Sequence, residues 1–345
     1  METCNRTQSN DRLWLILFAA IGTFLLAFVP SDAWLNGART AEETLSAISL
    51  KQILTVLLLL VVPSVWARLA FRVSPWALLG LAALAFGCGL LAAGDPKDAL
   101  YTTLLCALPG AGLWGLQKLK LSNFKTVVYE SFVILAALFG FVCLRDLIRT
   151  GDAYASYKEL IRLCGEVLNR IMLSATGLDG IALTEEITSA LNLIRTNAES
   201  YCVSALLTPA MAAALSNTLF SHLFNRNSGA DLTPLPRFSE WRCERGYVLL
   251  CAGFLLVTLF LSMAGLQAAN ALSGIAAVLW RMPCMLGGLC TVRRIALLTG
   301  RKWIFWITVG ILVLLPPAVG MVLALIGLLS ALRKPMNVGG DGKRE

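Results

Sequence analysis

The stretch that decides the fold is Pro234–Arg294. It reads PLPRFSEWRCERGYV (234–248), then an apolar run to Leu266, then QAANALSGIAAVLWRMPCMLGGLCTVRR (267–294). A Pro-bounded aromatic and basic linker leads into one hydrophobic segment, and the chain turns at Asn270 into a second that carries Arg281 near its middle. Apolar runs of about 20 residues match the thickness of a bilayer. An ionisable side chain halfway along such a run costs a few kcal/mol even on lenient scales, so Arg281 calls for a reason.

Working outward, the same pattern recurs along the whole chain. Of 345 residues, 57% are hydrophobic and 14% charged, with a mean hydropathy of +0.72; soluble domains carry about 25% charged residues. The class is therefore all-α, a polytopic transmembrane helix bundle. Apolar segments near 13–30, 50–69, 75–93, 99–117, 127–147, 201–222, 246–265, 271–292 and 303–332 give about nine spans. The last run is too long for one straight crossing. Pro316-Pro317 must kink it or divide it into two half-helices.

Between Arg149 and Glu199 the periodicity changes. Tyr157, Leu160, Ile161, Cys164, Val167, Leu168, Ile171 and Met172 recur at helical steps opposite Lys158, Glu159, Arg162, Glu166 and Arg170. SATGLDG (174–180) breaks this helix, and Thr184-Glu185-Glu186 suits the start of a second with a stripe of Leu183, Ile187, Leu191 and Ile194. The organisation expected is a polar N-terminal tail (1–12), a five-helix bundle (13–147), an amphipathic helical hairpin (148–200), a bundle of about four helices (201–332) and a polar tail (333–345).

Lys and Arg set the orientation. Arg68 and Arg72, then Lys118, Lys120 and Lys125, then Arg226, Arg237, Arg242 and Arg245, then Arg293, Arg294, Arg301 and Lys302 fall in alternate loops. Positive loops stay in the cytoplasm, which places the N-terminus inside and the hairpin outside. Nine crossings would leave Arg333, Lys334, Lys343 and Arg344 outside. Two half-helices would bring them back.

The net charge of +8 is spread over short loops, so no nucleic-acid partner is expected; the lipid bilayer is the partner implied. Six of the ten cysteines lie inside apolar runs and read as small core residues. One histidine and no CxxC make a metal site or cofactor unexpected. GxxxxGK[ST], HExxH and GxSxG are all absent, so catalysis is not expected and active transport would need a separate ATPase chain.

Three residues are candidate ligand contacts. Arg281 could hold a carboxylate or phosphate bidentately, or could pair with Glu130, meet backbone carbonyls or snorkel. Glu130 lies about one turn from the cytoplasmic edge of the fifth span. Asn270 at the outer turn is otherwise a cap or turn residue. Phe238 and Trp241 are interface anchors, because amphipathic rings favour the headgroup level.

LLTPAMAAALSN (206–217), PLPRFSEW (234–241), Asn270 and MLGGL (285–289) resemble the YybS-like bacterial membrane proteins, domain of unknown function 2232. The likeness covers the C-terminal half. This chain carries Cys243 where that family shows a proline, and lacks its polar end to the last helix. The resemblance implies a bacterial inner-membrane location. It also implies a helical arrangement similar to the substrate-binding components of energy-coupling-factor transporters, hence a small-molecule binding or transport component, anionic in its ligand if Arg281 contributes. Such a component would work with a separate ATPase and coupling subunit. The alternative is a non-transporting scaffold that holds another envelope protein.

Overall fold

A computed structural model describes residues 2–29, 41–176, 180–225, 238–241 and 243–333. Arg39, Arg226, Pro234–Arg237, Arg242 and the tail from Lys334 lie outside the described residues. Those described are helical: α1 (Glu2–Phe28), α2 (Ala41–Arg72), α3 (Ala77–Ala93), α4 (Pro96–Lys118), α5 (Asn123–Phe139), a π-helical turn (Gly140–Leu144), α6 (Arg145–Thr150), α7 (Ala155–Thr176), α8 (Gly180–Thr196), α9 (Ala198–Asn225), a short 3-10 turn (Phe238–Glu240), α10 (Arg245–Met263), α11 (Gln267–Leu298), α12 (Trp303–Leu314) and α13 (Pro316–Leu332). They form two compact units that divide after Leu235.

Six described helical stretches are long and apolar enough to cross a membrane: Leu50–Arg72, Pro96–Lys118, Asn123–Thr150, Tyr201–Phe224, Arg245–Met263 and Leu272–Leu298. The expected nine differ for a physical reason. The apolar parts of α1 and α3 are 10–17 residues long, and the final run is divided. Leu315, at φ −129° and ψ 60°, ends α12, and Pro316 opens α13 at the position where a missing N–H costs nothing.

In the first unit, Trp66 of α2 is fully buried and donates through Nε1 to Thr23 of α1 at 2.8 Å. Its ring lies over Gly110 of α4, where a Cβ would come within 2.6 Å of Trp66 Cβ. Gly110 and Gly112, whose Cβ position would meet Val133 of α5 at 2.7 Å, therefore serve close helix approach. The α9 face Ala210, Ala213 and Ala214 does the same against its neighbours.

The register of α5 against α9 is pinned at both ends. Asn123 meets His222 at 2.9 Å, and Cys143 lies 3.9 Å from Cys202. Moving 20 residues forward along α5 thus matches 20 residues backward along α9. The two helices are antiparallel and in step.

The hairpin forms from α7 and α8, with Leu191 Cδ1 within 3.5 Å of a Cβ built on Gly165. Its second helix starts at Gly180, ahead of the expected Thr184. Leu163, which the expected stripe omitted, is the most buried residue described on α7. Asp146 holds the start of α7, accepting from the backbone N–H of Ser156 at 2.7 Å and from its hydroxyl at 2.9 Å.

In the second unit, α10 and α11 are antiparallel neighbours. Tyr247 of α10 donates its hydroxyl to the carbonyl of Leu279 at 3.0 Å, and Cys243 donates to Pro283 at 2.9 Å. Leu279 is the residue whose helical acceptor role Pro283 removes, since proline has no N–H to offer the carbonyl four residues back. Tyr247 supplies the missing donor. Tyr247→Phe is expected to cost about 1 kcal/mol, read as a lowered thermal midpoint, and to cost nearly nothing in a Pro283→Ala background.

Against α13, α11 makes its closest contact through two glycines. A Cβ on Gly288 would fall 2.0 Å from the carbonyl oxygen of Leu323, and one on Gly327 would fall 1.8 Å from that of Cys284. Each glycine faces the carbonyl one turn before the other glycine. Arg281, earlier on α11, meets Gly320, earlier on α13. This reciprocal pattern is that of parallel helices, so the chain reverses in α12 and α13 then runs the way α11 does. The MLGGL motif is the floor of this contact.

Candidate functional site

The second unit holds four of the five residues singled out above. Arg281 sits within the membrane-length stretch of α11 and is half-buried. A Cβ on Gly320 would come within 3.0 Å of its guanidinium and 3.3 Å of the Met285 sulfur, so the bare backbone there makes room for the charged group. Asn270 falls inside α11, which begins at Gln267, and not at the turn where it was expected. The reversal is made by Ala264–Leu266, with Gly265 at φ +84°.

Phe238 and Trp241 do come together, with ring centroids 6.4 Å apart, and Phe238 also meets Phe305 edge-on at 6.1 Å. Arg293 lies over the Phe305 ring at 5.0 Å, and Arg294 donates to the Ser239 carbonyl at 2.8 and 3.1 Å. An arginine fork thus fixes the aromatic turn onto the end of α11. Neither arginine was singled out, and an RR pair at the end of an apolar run is the signal that could have shown it.

Glu130 belongs to the first unit, and its setting is the less ordinary one. It lies in α5 within the membrane-length stretch Asn123–Thr150 and has no exposed surface. Neither carboxylate oxygen has a hydrogen-bond partner among the described residues. Although Glu130 lies about a turn from one end of its span, packing of α5 between α4 and α9 buries it.

Polar positions on α9 lie within a turn of its level. Counting along the pinned register, Glu130 comes level with Leu215, with Asn217 and Thr218 about 3 and 4.5 Å further along α9. Asn217 and Thr218 are both fully buried. One turn beyond, Ser221 and Gln117 of α4 exchange reciprocal hydrogen bonds at 2.7 and 2.9 Å and satisfy each other.

Asn217 has a definite orientation. Its amide nitrogen donates to the Leu59 carbonyl of α2 at 2.9 Å. Leu59 is four residues before Pro63, so its carbonyl has lost its helical donor. The amide nitrogen fills that gap. Its oxygen is left without a partner among the described residues, as is the hydroxyl of Thr218.

Several other threonines spend their hydroxyl on their own helix. Thr23, Thr55, Thr102, Thr103 and Thr258 all donate to a carbonyl three or four residues back on their own helices. Thr218 makes no such bond. Four buried oxygens, two from Glu130 on α5 and one each from Asn217 and Thr218 on its neighbour α9, therefore lie unpartnered among the described residues. Buried polar atoms in folded proteins nearly always have a partner, so such a group is a functional signal.

A family model described as "Predicted membrane protein (DUF2232)" matches residues 45–329. No curated protein and no solved structure matches the chain.

Proposed function

We propose that this chain, which belongs to the DUF2232 family of predicted membrane proteins, is a solute-binding or transport component of a bacterial inner membrane without enzymatic activity of its own. The observation that carries this reading is the buried polar layer of Gln117, Glu130, Asn217, Thr218 and Ser221, set within spanning helices where hydrocarbon alone would select apolar side chains. A bundle needs no such layer for stability. In the second unit by itself, Arg281 beside Gly320 of α13 is a group suited to a carboxylate or phosphate. Movement of a solute against a gradient would draw on a separate ATPase with a coupling subunit, in the manner of energy-coupling-factor transporters.

The test is a thermal-shift screen of the purified protein at fixed sodium against vitamins, nucleotides and lipid precursors. Wild type is expected to gain stability with one compound class, and Glu130→Gln to lose that gain. No stabilising compound, or equal gains in both proteins, would end the proposal. Recovery of an envelope enzyme in place of an ATPase with native protein would favour a scaffold whose outer hairpin does the holding.

The same reading fixes the topology. Basic loops lie in the cytoplasm, the α7–α8 hairpin lies outside, and α12–α13 enter and return. At 12 residues, α12 is about 18 Å long, short of a 30 Å hydrocarbon layer. The tail then shares the side of Arg293 and Arg301. Single cysteines at Arg301 and Arg333, in a protein whose other cysteines are replaced, are expected to label only after the membrane is opened, whereas one at Gly151 labels in intact cells.

A further inference from the structure

The geometry points to a monovalent cation site at the α5–α9 contact, with Glu130, Asn217 and Thr218 as the ligands and sodium as the ion. This inference rests on reading the first unit as a solute-handling bundle, and it gives that bundle a coupling ion.

The donor set is oxygen only: a carboxylate, an amide oxygen and a hydroxyl, which is the chemistry hard cations select. No cluster of three His, Cys, Asp or Glu occurs among the described residues, so a transition metal has no ligand set to use. Charge decides the valence. One carboxylate balances one positive charge, and a divalent ion would leave a net charge in a low-dielectric interior at a cost of several kcal/mol.

A proton does not account for the whole arrangement. On Glu130 it would give one donor beside the hydrogen of the Thr218 hydroxyl, and two hydrogens would still leave acceptors of the three side chains unfilled. A cation between the helices satisfies all four oxygens at once. The protein also orients two of the three ligands ahead of binding. Pro63 frees the Leu59 carbonyl, Leu59 holds the Asn217 nitrogen, and the Asn217 oxygen is thereby turned to the other side. The Thr218 hydroxyl is not spent on its own helix, as it is in five other buried or half-buried threonines. α9 also carries buried Ala210, Ala213 and Ala214, small residues that let neighbouring helices approach closely.

The experiment titrates sodium chloride against choline chloride at constant ionic strength, with potassium chloride as a parallel arm, and follows the thermal midpoint of purified protein in detergent. Wild type is expected to show a saturable sodium-specific rise of about 3 °C or more. Radioactive sodium is expected to bind at one site per chain. Glu130→Gln keeps the shape and removes the charge, so it is expected to fold and to lose both signals. Thr218→Val, close in shape but without the oxygen, is expected to bind about tenfold more weakly.

Equal responses to sodium, potassium and choline would overturn the inference, as would a sodium response that persists in Glu130→Gln. A midpoint that follows pH and ignores sodium would also overturn it, in favour of protonation alone. Its failure is separable from that of the proposed function: a solute can stabilise a wild type whose midpoint ignores sodium, and sodium binding can be found where no solute binds.

Discussion

Gly327→Ala is expected to abolish stable packing of α13 on α11. The added methyl would lie 1.8 Å from the Cys284 carbonyl oxygen and 2.8 Å from the Gly288 nitrogen. Both are backbone atoms, so no rotamer change can relieve the overlap. The helices must separate by an ångström or more, and every contact along their interface weakens together. The cost is expected to exceed about 3 kcal/mol, at the severe end for a single substitution. Gly288→Ala meets the Leu323 carbonyl at 2.0 Å and is expected to act alike. Gly310→Ala, with nothing within 4 Å of its Cβ position, is the control and is expected to leave stability unchanged or slightly raised. Thermal unfolding in detergent, paired with limited proteolysis within 303–333, measures all three. A Gly327→Ala protein as stable as wild type would show that the close parallel contact is not formed.

The second large effect is at Asn217. Replacing it with leucine removes the donor to Leu59 and leaves a buried carbonyl with nothing to bond, at a cost of about 2–3 kcal/mol. Leucine is also a different shape in a position with no exposed surface, so it crowds its neighbours. The diagnostic is the pairing with Pro63. Pro63→Ala restores an N–H to α2 that can bond the Leu59 carbonyl within the helix. Asn217→Leu is therefore expected to cost about 1–2 kcal/mol less in the Pro63→Ala protein than in wild type. Independent, additive costs would mean that the amide does not serve the proline gap.

Both arguments show why part of the molecule was readable early. Apolar runs separated by short basic loops follow from the bilayer as solvent, and so do the helices, since backbone groups in hydrocarbon must pair within their own segment. Four of the prolines behave in a way sequence could only hint at: Pro63, Pro109, Pro209 and Pro283 lie inside helices without ending them. Whether a proline bends or stops a helix depends on a donor from elsewhere. Asn217 serves Pro63 and Tyr247 serves Pro283, at separations of 158 and 32 residues from the carbonyls they bond.

Residue order alone thus determined the membrane class, the helical content, the amphipathic hairpin and the prominence of Arg281 and Glu130, because each depends on local hydrophobicity or on charge where charge is costly. Tertiary structure alone decided that Glu130 is buried, that Asn217 and Thr218 lie within a turn of its level, and that α13 runs parallel to α11. Those facts depend on register between helices far apart in the chain. Such register is set by glycine contacts and cross-helix hydrogen bonds, which no periodicity within a single segment encodes.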